Sequence, residues 1–154
     1  MSQKRAMDRI DFAILDALQN DARLSNKELA ARVGLAPSSC LERVRRLVGD
    51  QVLRGFHADV DAKSLGIVLQ AMISVRLQVH SLRAFESFES HLRALPEVVA
   101  VYHLAGAEDF MVHVAVRSTE HLHQLAMTQF STREEVGHVN TALIFEVHRA
   151  VALP

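Results

Sequence analysis

The chain has 154 residues, of which 49% are apolar and 23% charged, and its formal net charge is −1. This length accommodates one domain or two small ones. No stretch approaches the roughly 18 consecutive apolar residues of a membrane helix, and the polar N-terminus has no signal-peptide core. We therefore expect a cytoplasmic protein without a membrane partner.

Charge is unevenly distributed along the chain. Residues 1–56 contain 10 Lys and Arg against 7 Asp and Glu, a balance of +3, whereas residues 57–154 contain 7 against 11, a balance of −4. The positive excess therefore lies in the N-terminal third. It is modest, so binding to nucleic acid would need a dimer or larger assembly to gather enough phosphate contacts.

Cysteine and histidine usage does not indicate a metal or catalytic site. Cys40 is the single cysteine, which excludes an intrachain disulfide and favours a small, half-buried side chain. His121 and His123 diverge on a helix, and His103 and His113 on paired strands lack an evident third ligand. We predict no metal, no cofactor and no catalytic residue.

The first 56 residues show the pattern of a helix-turn-helix domain. Apolar residues recur at helical spacing through residues 8–20. Ser25 and Glu28 form a capping box that starts a second helix, and Gly34 ends it. Pro37 suits the first position of a third helix, which runs to about Val48. The second and third helices form the helix-turn-helix, and in this motif the later of the two, here the third helix, enters the DNA major groove.

The third helix is predicted to have one apolar and one polar face. At about 100° per residue, Leu41, Val44 and Val48 point in one direction and form the centre of the apolar face, with Cys40 and Leu47 on its flank. The polar direction contains Ser39, Glu42, Arg43 and Arg46, and the other flank contains Ser38 and Arg45.

Side-chain chemistry assigns roles on this polar face. Arg43, at its centre, is predicted to contact a base, and Arg45, on the flank, a phosphate. Glu42 is expected to pair with Arg45 or Arg46 on the helix itself. The complete predicted DNA-binding set is Ser25, Asn26, Ser38, Ser39, Glu42, Arg43, Arg45 and Arg46.

The rest of the chain is predicted to form a second domain after a linker at residues 57–66. Residues 56–60 alternate weakly and suggest a short linking strand. From Leu69 onward the order is strand, helix, strand, strand, helix, strand. This order predicts a ferredoxin-like βαββαβ fold in residues 67–154, with both helices on one face of an antiparallel sheet.

The other face of that sheet is predicted to mediate self-association. Val99, Val101, Met111 and Ile144 are apolar residues out of phase with the inward positions. An exposed apolar sheet face marks an interaction surface, so we expect a homodimer.

Three motifs now make the chain resemble the Lrp/AsnC family of feast–famine transcriptional regulators. They are residues 7–35, the helix APSSCLERVRRL at residues 36–47, and the turn AGAEDF at residues 105–110, which fits a G-x-x-D-[FY] pattern. The resemblance implies an α+β protein with a winged-helix-like DNA-binding domain and a C-terminal regulatory (RAM) domain. It also implies dimers that assemble into octamers or larger rings and bind double-stranded DNA. One departure is Gln51, which stands where the family usually has glycine.

The resemblance further implies that the turn takes part in binding a free amino acid. N–H groups around Gly106 and Ala107 would receive the carboxylate, and Asp109 the ammonium. The alternative is that Gly106 only makes the hairpin turn and Asp109 only caps it. The complete predicted ligand set is Tyr102, Gly106, Ala107, Asp109, Phe110, Thr141 and Leu143.

These features predict a DNA-binding transcriptional regulator, not an enzyme, whose assembly or DNA affinity responds to a small effector. Two alternatives remain. Some proteins of this plan resemble siroheme decarboxylases, although such an enzyme has no use for a basic recognition helix. The chain could instead be an amino-acid-binding oligomerisation module without DNA binding.

Overall fold

A computed structural model describes residues 6–147, which form two compact units that meet in sequence between Asp59 and Val60. The first unit is helical, and the second contains a four-stranded antiparallel sheet with helices. This architecture confirms the predicted α+β class. The last seven residues of the predicted second domain lie outside the described residues. No helix within residues 6–147 is both long and apolar enough to cross a bilayer.

The first helix, α1, spans Arg9–Asn20 and begins at a reciprocal cap. Oδ1 of Asp8 accepts hydrogen bonds from the N–H groups of Ile10 and Asp11, at 2.9 and 3.0 Å. In return, Oδ2 of Asp11 accepts the N–H of Asp8 at 3.1 Å. Two carboxylates at the positive end of the helix dipole therefore fix the start of α1.

The second helix, α2, spans Asn26–Val33 and carries the predicted capping box. Oγ of Ser25 accepts the N–H of Glu28 at 3.3 Å, and Oε2 of Glu28 accepts the N–H of Ser25 at 2.8 Å. Gly34 ends the helix with φ of 70°, a left-handed conformation that only glycine adopts at little cost.

The third helix, α3, spans Pro37–Gly49, and the chain leaves it through a strained residue. Gln51 has φ of 58°, the one positive value among non-glycine residues in the described chain. The carbonyl oxygen of Leu47 accepts the N–H groups of Val52 and Leu53, each at 3.0 Å. These two bonds close the helix end and hold Gln51 in the left-handed region.

The buried side of α3 differs from the predicted one. Cys40 and Leu47 are 0% and 1% exposed and pack with Val44 against α1 and α2. Leu41 and Val48, which we expected to be buried, are 37% and 39% exposed. The apolar stripe is therefore rotated by roughly 65° from the expected direction, since it runs through positions 40, 44 and 47.

The second unit has strand order β2-β3-β1-β4, with all neighbours antiparallel. The strands are β1 (Leu69–Leu77), β2 (Val98–His103), β3 (Phe110–Val116) and β4 (Val136–Ile144). The helix α4 (Leu82–Ala94) connects β1 to β2, and α5 (Thr119–Leu125) follows β3. This is the split βαβ order of a ferredoxin-like fold, as the sequence predicts.

One face of the sheet carries the core of this unit. Every second residue of β1 and β3 points into it, and the aromatic rings of Phe88, Phe110 and Phe130 complete it. After α5 the chain makes a π-helical turn, Ala126–Ser131. Uninterrupted α-helical spacing after Ser118 predicts Gln129 on the inward side, but the wider turn buries Phe130 instead.

Three local expectations, for the sheet and for the segment that precedes it in sequence, were wrong. A register shift between Val98 and Ala100 turns Val101 toward the core, so it does not belong to the open face. Residues 56–60 form no strand. Alternating apolar residues predict a fourth strand with Phe145 and Val147 on its inward side, but the strand ends at Ile144, so Phe145 lies beyond the sheet and is exposed.

Candidate functional sites

The outward face of α3 consists of Ser38, Glu42 and Arg45. These residues lie opposite the buried Cys40–Leu47 stripe, and all three are exposed. None of their side chains has a hydrogen-bond or ion-pair partner among residues 6–147. The expected pairing of Glu42 with Arg45 or Arg46 is therefore not formed. Ser39 is also exposed, and no side chain caps the N-terminus of α3, because Ala36 is at the cap position.

Arg43 and Arg46 face α1 and are bound there by two carboxylates. Nη1 of Arg43 lies 2.8 Å from Oδ2 of Asp8 and 2.9 Å from Oδ1 of Asp11. Nη2 of Arg46 lies 2.6 Å from Oδ2 of Asp11. The side chain of Asp11 is buried, while the two arginines are about one quarter exposed. We refer to these four residues as the α1–α3 ion cluster.

The predicted place of Arg43 at the centre of the polar face is thus wrong in geometry. The rotation of the apolar stripe brings Arg43 to the edge of the core, within reach of Asp8 and Asp11. The same rotation brings Arg45 from the flank onto the exposed face, beside Glu42.

The contacts in the ion cluster shift the pKa values of Asp8, Asp11 and Arg43. The hydrogen bond from Arg43 is the main cause of a lowered pKa at Asp8. Burial by itself would raise the pKa of Asp11, but hydrogen bonds from the Asp8 N–H and Arg43, with the charge of Arg46, lower it overall. The bonds to Asp8 and Asp11 raise the pKa of Arg43. These shifts favour the ionised forms of Asp8, Asp11 and Arg43.

Ser25 and Asn26, also predicted to contact DNA, have roles inside the domain. Oγ of Ser25 donates to Oε2 of Glu28 at 2.6 Å as part of the capping box. Nδ2 of Asn26 donates to the carbonyl oxygen of Pro37 at 2.8 Å. The bond from Asn26 ties the start of α2 to the first turn of α3, so it sets the angle between the two helices.

The second candidate site is the turn between β2 and β3. The N–H of Leu77 donates to Oδ2 of Asp109 at 2.7 Å, and the N–H of Asp109 donates to the carbonyl oxygen of Val75 at 2.9 Å. Asp109 therefore joins the turn to the end of β1. Oδ1 of Asp109 is 3.7 Å from Nε2 of His80, which leaves it free for a closer donor.

Charged groups that the sequence alone did not select surround this turn. Nε of Arg76 donates to the carbonyl oxygen of Ala107 at 2.7 Å, and its Nη2 lies 3.7 Å from Oε1 of Glu108. Oε2 of Glu108 is buried and has no hydrogen-bond partner among the described residues. The alternation of apolar and polar residues along β1 predicts Arg76 on its polar side, but the contact of Arg76 with the turn depends on the pairing of distant strands.

Gly106 is not required by the backbone of the turn. The glycines with positive φ in the described chain are Gly34 and Gly66. A Cβ atom on Gly106 would meet no heavy atom within 4 Å. The interpretation that glycine is needed here to make the turn is therefore not supported, and the space above Gly106 and Ala107 is open.

The other predicted ligand residues do not gather at this turn within one chain. Phe110 is 1% exposed and stacks on His103 at 5.0 Å between ring centroids, so its side chain belongs to the core. Tyr102 pairs with Met111 on the open face. Thr141 and Leu143 pair with Ile73 and Ala71, so they lie on the core face of the sheet, opposite to Tyr102. Strands β2 and β4 are also the two edges of the sheet, roughly 14 Å apart.

Metal binding is not indicated by the described part of the chain. Residues 6–147 contain no group of three or more His, Cys, Asp or Glu side chains arranged to hold an ion.

Comparison with protein-family models matches both units. Residues 7–48 match the AsnC-type helix-turn-helix domain, and residues 70–150 match the Lrp/AsnC ligand-binding domain. These are the two domains that the sequence resemblance predicted, and together they define a DNA-binding regulator with an effector-binding domain.

Curated relatives and solved structures agree with this class. The chain is 47% identical over 142 residues to the HTH-type transcriptional regulator AldR of Mycolicibacterium smegmatis, covering 92% of this chain and 83% of that protein. It is 33% identical over 137 residues to the leucine-responsive regulatory protein of Rhizobium meliloti, covering 89% and 88%. A Neisseria meningitidis transcriptional regulator in complex with L-Met superposes with a TM-score of 0.89, at 27% identity and 97% coverage of both chains.

The chain belongs to the Lrp/AsnC family of DNA-binding transcriptional regulators. The family assignment made from the three sequence motifs is therefore confirmed. The relatives are named as regulators, which agrees with a role other than catalysis.

Proposed function

We propose that this regulator reads its operator through the outward face of α3 and responds to an amino acid bound beside the β2–β3 turn. The observation that carries the first half is the exposure of Ser38, Glu42 and Arg45 opposite the core stripe. Arg45 suits guanine or phosphate, and Glu42 suits the amino group of cytosine. Ser38 and Ser39, with the uncapped N–H groups of the first turn, suit a phosphate.

The proposed effector site uses the open space at the turn. An amino acid presents an ammonium, which requires acceptors, and a carboxylate, which requires donors. Oδ1 of Asp109 and the unpartnered Oε2 of Glu108 are acceptors on one side. The N–H groups of Gly106 and Ala107 are donors on the other, and no side chain blocks the approach to Gly106.

We propose that the complete effector pocket forms between two copies of the chain. Tyr102 lies on one edge strand, and Thr141 and Leu143 lie on the other edge strand and on the other face, and all three are exposed. The open face presents Tyr102 together with Met72, Met111 and Ile144, which supports a homodimer through that face. Assembly of dimers into an octamer or ring would also gather the phosphate contacts that one +3 unit lacks. The protein acts in the cytoplasm on double-stranded DNA.

Binding-site selection from a random DNA pool tests the first half. The wild-type protein should enrich a defined duplex and bind it more tightly than a scrambled duplex of equal length. Arg45→Gln should weaken binding to that duplex by about tenfold, since one good arginine contact contributes about 1–3 kcal/mol. Arg83→Gln, which makes the same charge change at an exposed position on α4, is the control. The DNA half fails if no duplex is enriched.

A thermal-shift screen against the twenty amino acids tests the second half. At least one should raise the melting temperature at millimolar concentration, because a ligand that binds only the folded state stabilises it. The responsive amino acid should then change DNA affinity, by a coupling free energy of about 1–3 kcal/mol. If none shifts the melting temperature, the effector half fails while DNA binding stands.

A further inference from the structure

We infer that Asp8 and Asp11 are positioning residues for DNA recognition, because they hold Arg43 and Arg46 inside the domain and leave Arg45 as the arginine of α3 that meets DNA. This inference rests on the proposed use of the outward face of α3. It divides three arginines that look equivalent in the motif RVRR into two internal braces and one reader.

The first argument is the number of bonds that the cluster satisfies. The carboxylate of Asp11 receives Arg43 on Oδ1 and both Arg46 and the Asp8 N–H on Oδ2. Both oxygens of Asp8 lie 2.8 Å from Nη1 of Arg43. An arginine that left the cluster to reach DNA would leave a buried carboxylate short of a partner, which is costly.

The second argument is direction. At about 100° per residue, Arg43 lies roughly 60° from Cys40 at the centre of the buried stripe, whereas Arg46 and Arg45 lie roughly 120° and 140° away, so direction separates Arg43 from Arg45 and the contact with Asp11 separates Arg46. A side chain close to the stripe points along the domain surface toward α1. The side chain of Arg45 points away from the domain and has no partner among residues 6–147.

The third argument is charge. The four members of the cluster sum to zero, two carboxylates against two guanidiniums. Arg43 and Arg46 therefore add little to the field that attracts DNA. Their contribution is to fix the rotation of α3 about its own axis, which decides which residues face outward.

A double-substitution cycle separates positioning from direct contact. The measured quantity is the specificity ratio, the dissociation constant for a scrambled duplex divided by that for the selected duplex. The variants are Asp11→Asn, Arg46→Gln and the double variant, with Asp16→Asn as the control. Asp16 lies on the same helix, is exposed, and undergoes the same charge change.

We expect Asp11→Asn and Arg46→Gln each to lower the specificity ratio at least fivefold, and the double variant to lower it no further. Asp16→Asn should leave the ratio unchanged. If Arg46 contacts DNA directly, Arg46→Gln alone lowers the ratio, and Asp11→Asn maintains or raises it by removing a negative charge. That result overturns the inference.

Salt dependence gives an independent readout that loss of stability does not move. Arg43→Gln should leave the slope of log affinity against log salt at the wild-type value, because no phosphate contact is lost. A slope smaller by about one per protomer would show a lost phosphate contact and overturn the inference. All titrations are made below the melting transition of each variant, and Arg43→Lys, which retains one bond to the cluster, provides a milder substitution.

The failure of the proposed function is distinguishable from the failure of this inference. A wild-type protein that selects no duplex removes the proposed function and the inference with it. The inference alone is overturned by three results together. The wild-type protein selects a duplex, Arg45→Gln weakens binding to it, and Arg43→Gln lowers the slope of log affinity against log salt.

Discussion

The guanidinium of Arg46 lies 2.6 Å from the carboxylate of Asp11, which has no exposed surface. The partner on α1 is the N3 residue of its own capping box, so one side chain serves both a helix start and an interhelical contact. Removing a partner of a buried pair is strongly destabilising, by about 3–5 kcal/mol. Because both arginines are partly exposed and can reach water, the cost here belongs at the low end.

The first prediction concerns acid. The pKa of Asp8 and that of Asp11 are both lowered in the folded state from an ordinary value of 3.8. A carboxyl with a lowered pKa stabilises the fold above its unfolded-state pKa, and this contribution disappears as pH falls through the folded-state pKa. Urea unfolding followed by circular dichroism should show Asp11→Asn less stable than wild type at pH 7, with the difference shrinking below about pH 4. Asp16→Asn should show no such convergence.

The second prediction concerns the end of α3. Gln51→Gly should raise the free energy of unfolding by about 1 kcal/mol, because a non-glycine residue in the left-handed region costs about that much. Gln51→Val should lower it, since a β-branched side chain is worse there. Gly34→Ala, at φ of 70°, serves as the opposite control and should destabilise. Equal stability of Gln51→Gly and wild type would contradict the strain.

The third prediction separates structure from ligand binding at Gly106. Gly106→Ala should leave the melting temperature unchanged in the absence of effector, because φ is not positive and the added Cβ meets nothing within 4 Å. The same substitution should weaken binding of the effector in calorimetry by at least tenfold, since the methyl group occupies the approach to the N–H donors. Unchanged affinity would move the effector away from this turn.

The fourth prediction concerns the two roles of Asp109. Asp109→Asn keeps an oxygen to accept the N–H of Leu77 but removes the negative charge. It should therefore stay within about 0.5 kcal/mol of wild type in stability and lose most effector binding. Asp109→Ala also leaves the N–H of Leu77 without its acceptor and should lower the free energy of unfolding by about 1–3 kcal/mol. If the two variants bind effector as well as wild type, Asp109 serves the fold alone.

Local signals in the sequence predicted the elements well, and tertiary contacts explain where prediction failed. Capping residues Ser25 and Gly34 acted within a few positions of themselves, so their effect was readable. The contacts of α3 with Asp8 and Asp11 were not readable, because those carboxylates lie more than 30 residues earlier in the chain. Sequence periodicity assigns every leucine and valine to the apolar side of a helix and carries no information about an ion pair between helices.

The sheet shows the same limit. The alternation in β1 predicted its buried side chains, since both faces of that central strand have defined neighbours. The register shift near Val98 exchanges the faces of the following residues, so Val101 turns inward and Tyr102 outward. The charges of Arg76 and Glu108 meet only after β1 and β3 have paired.

The two contacts of Asp8 couple the local opening of α1 to that of α3. Its Oδ1 caps α1, while the same carboxylate binds Arg43 of α3. The first turn of α1 therefore cannot fray without loosening the helix that faces DNA. Hydrogen exchange at the amides of Ile10 and Asp11 should follow the same opening free energy as amides in the middle of α3, so both segments would exchange as one cooperative unit.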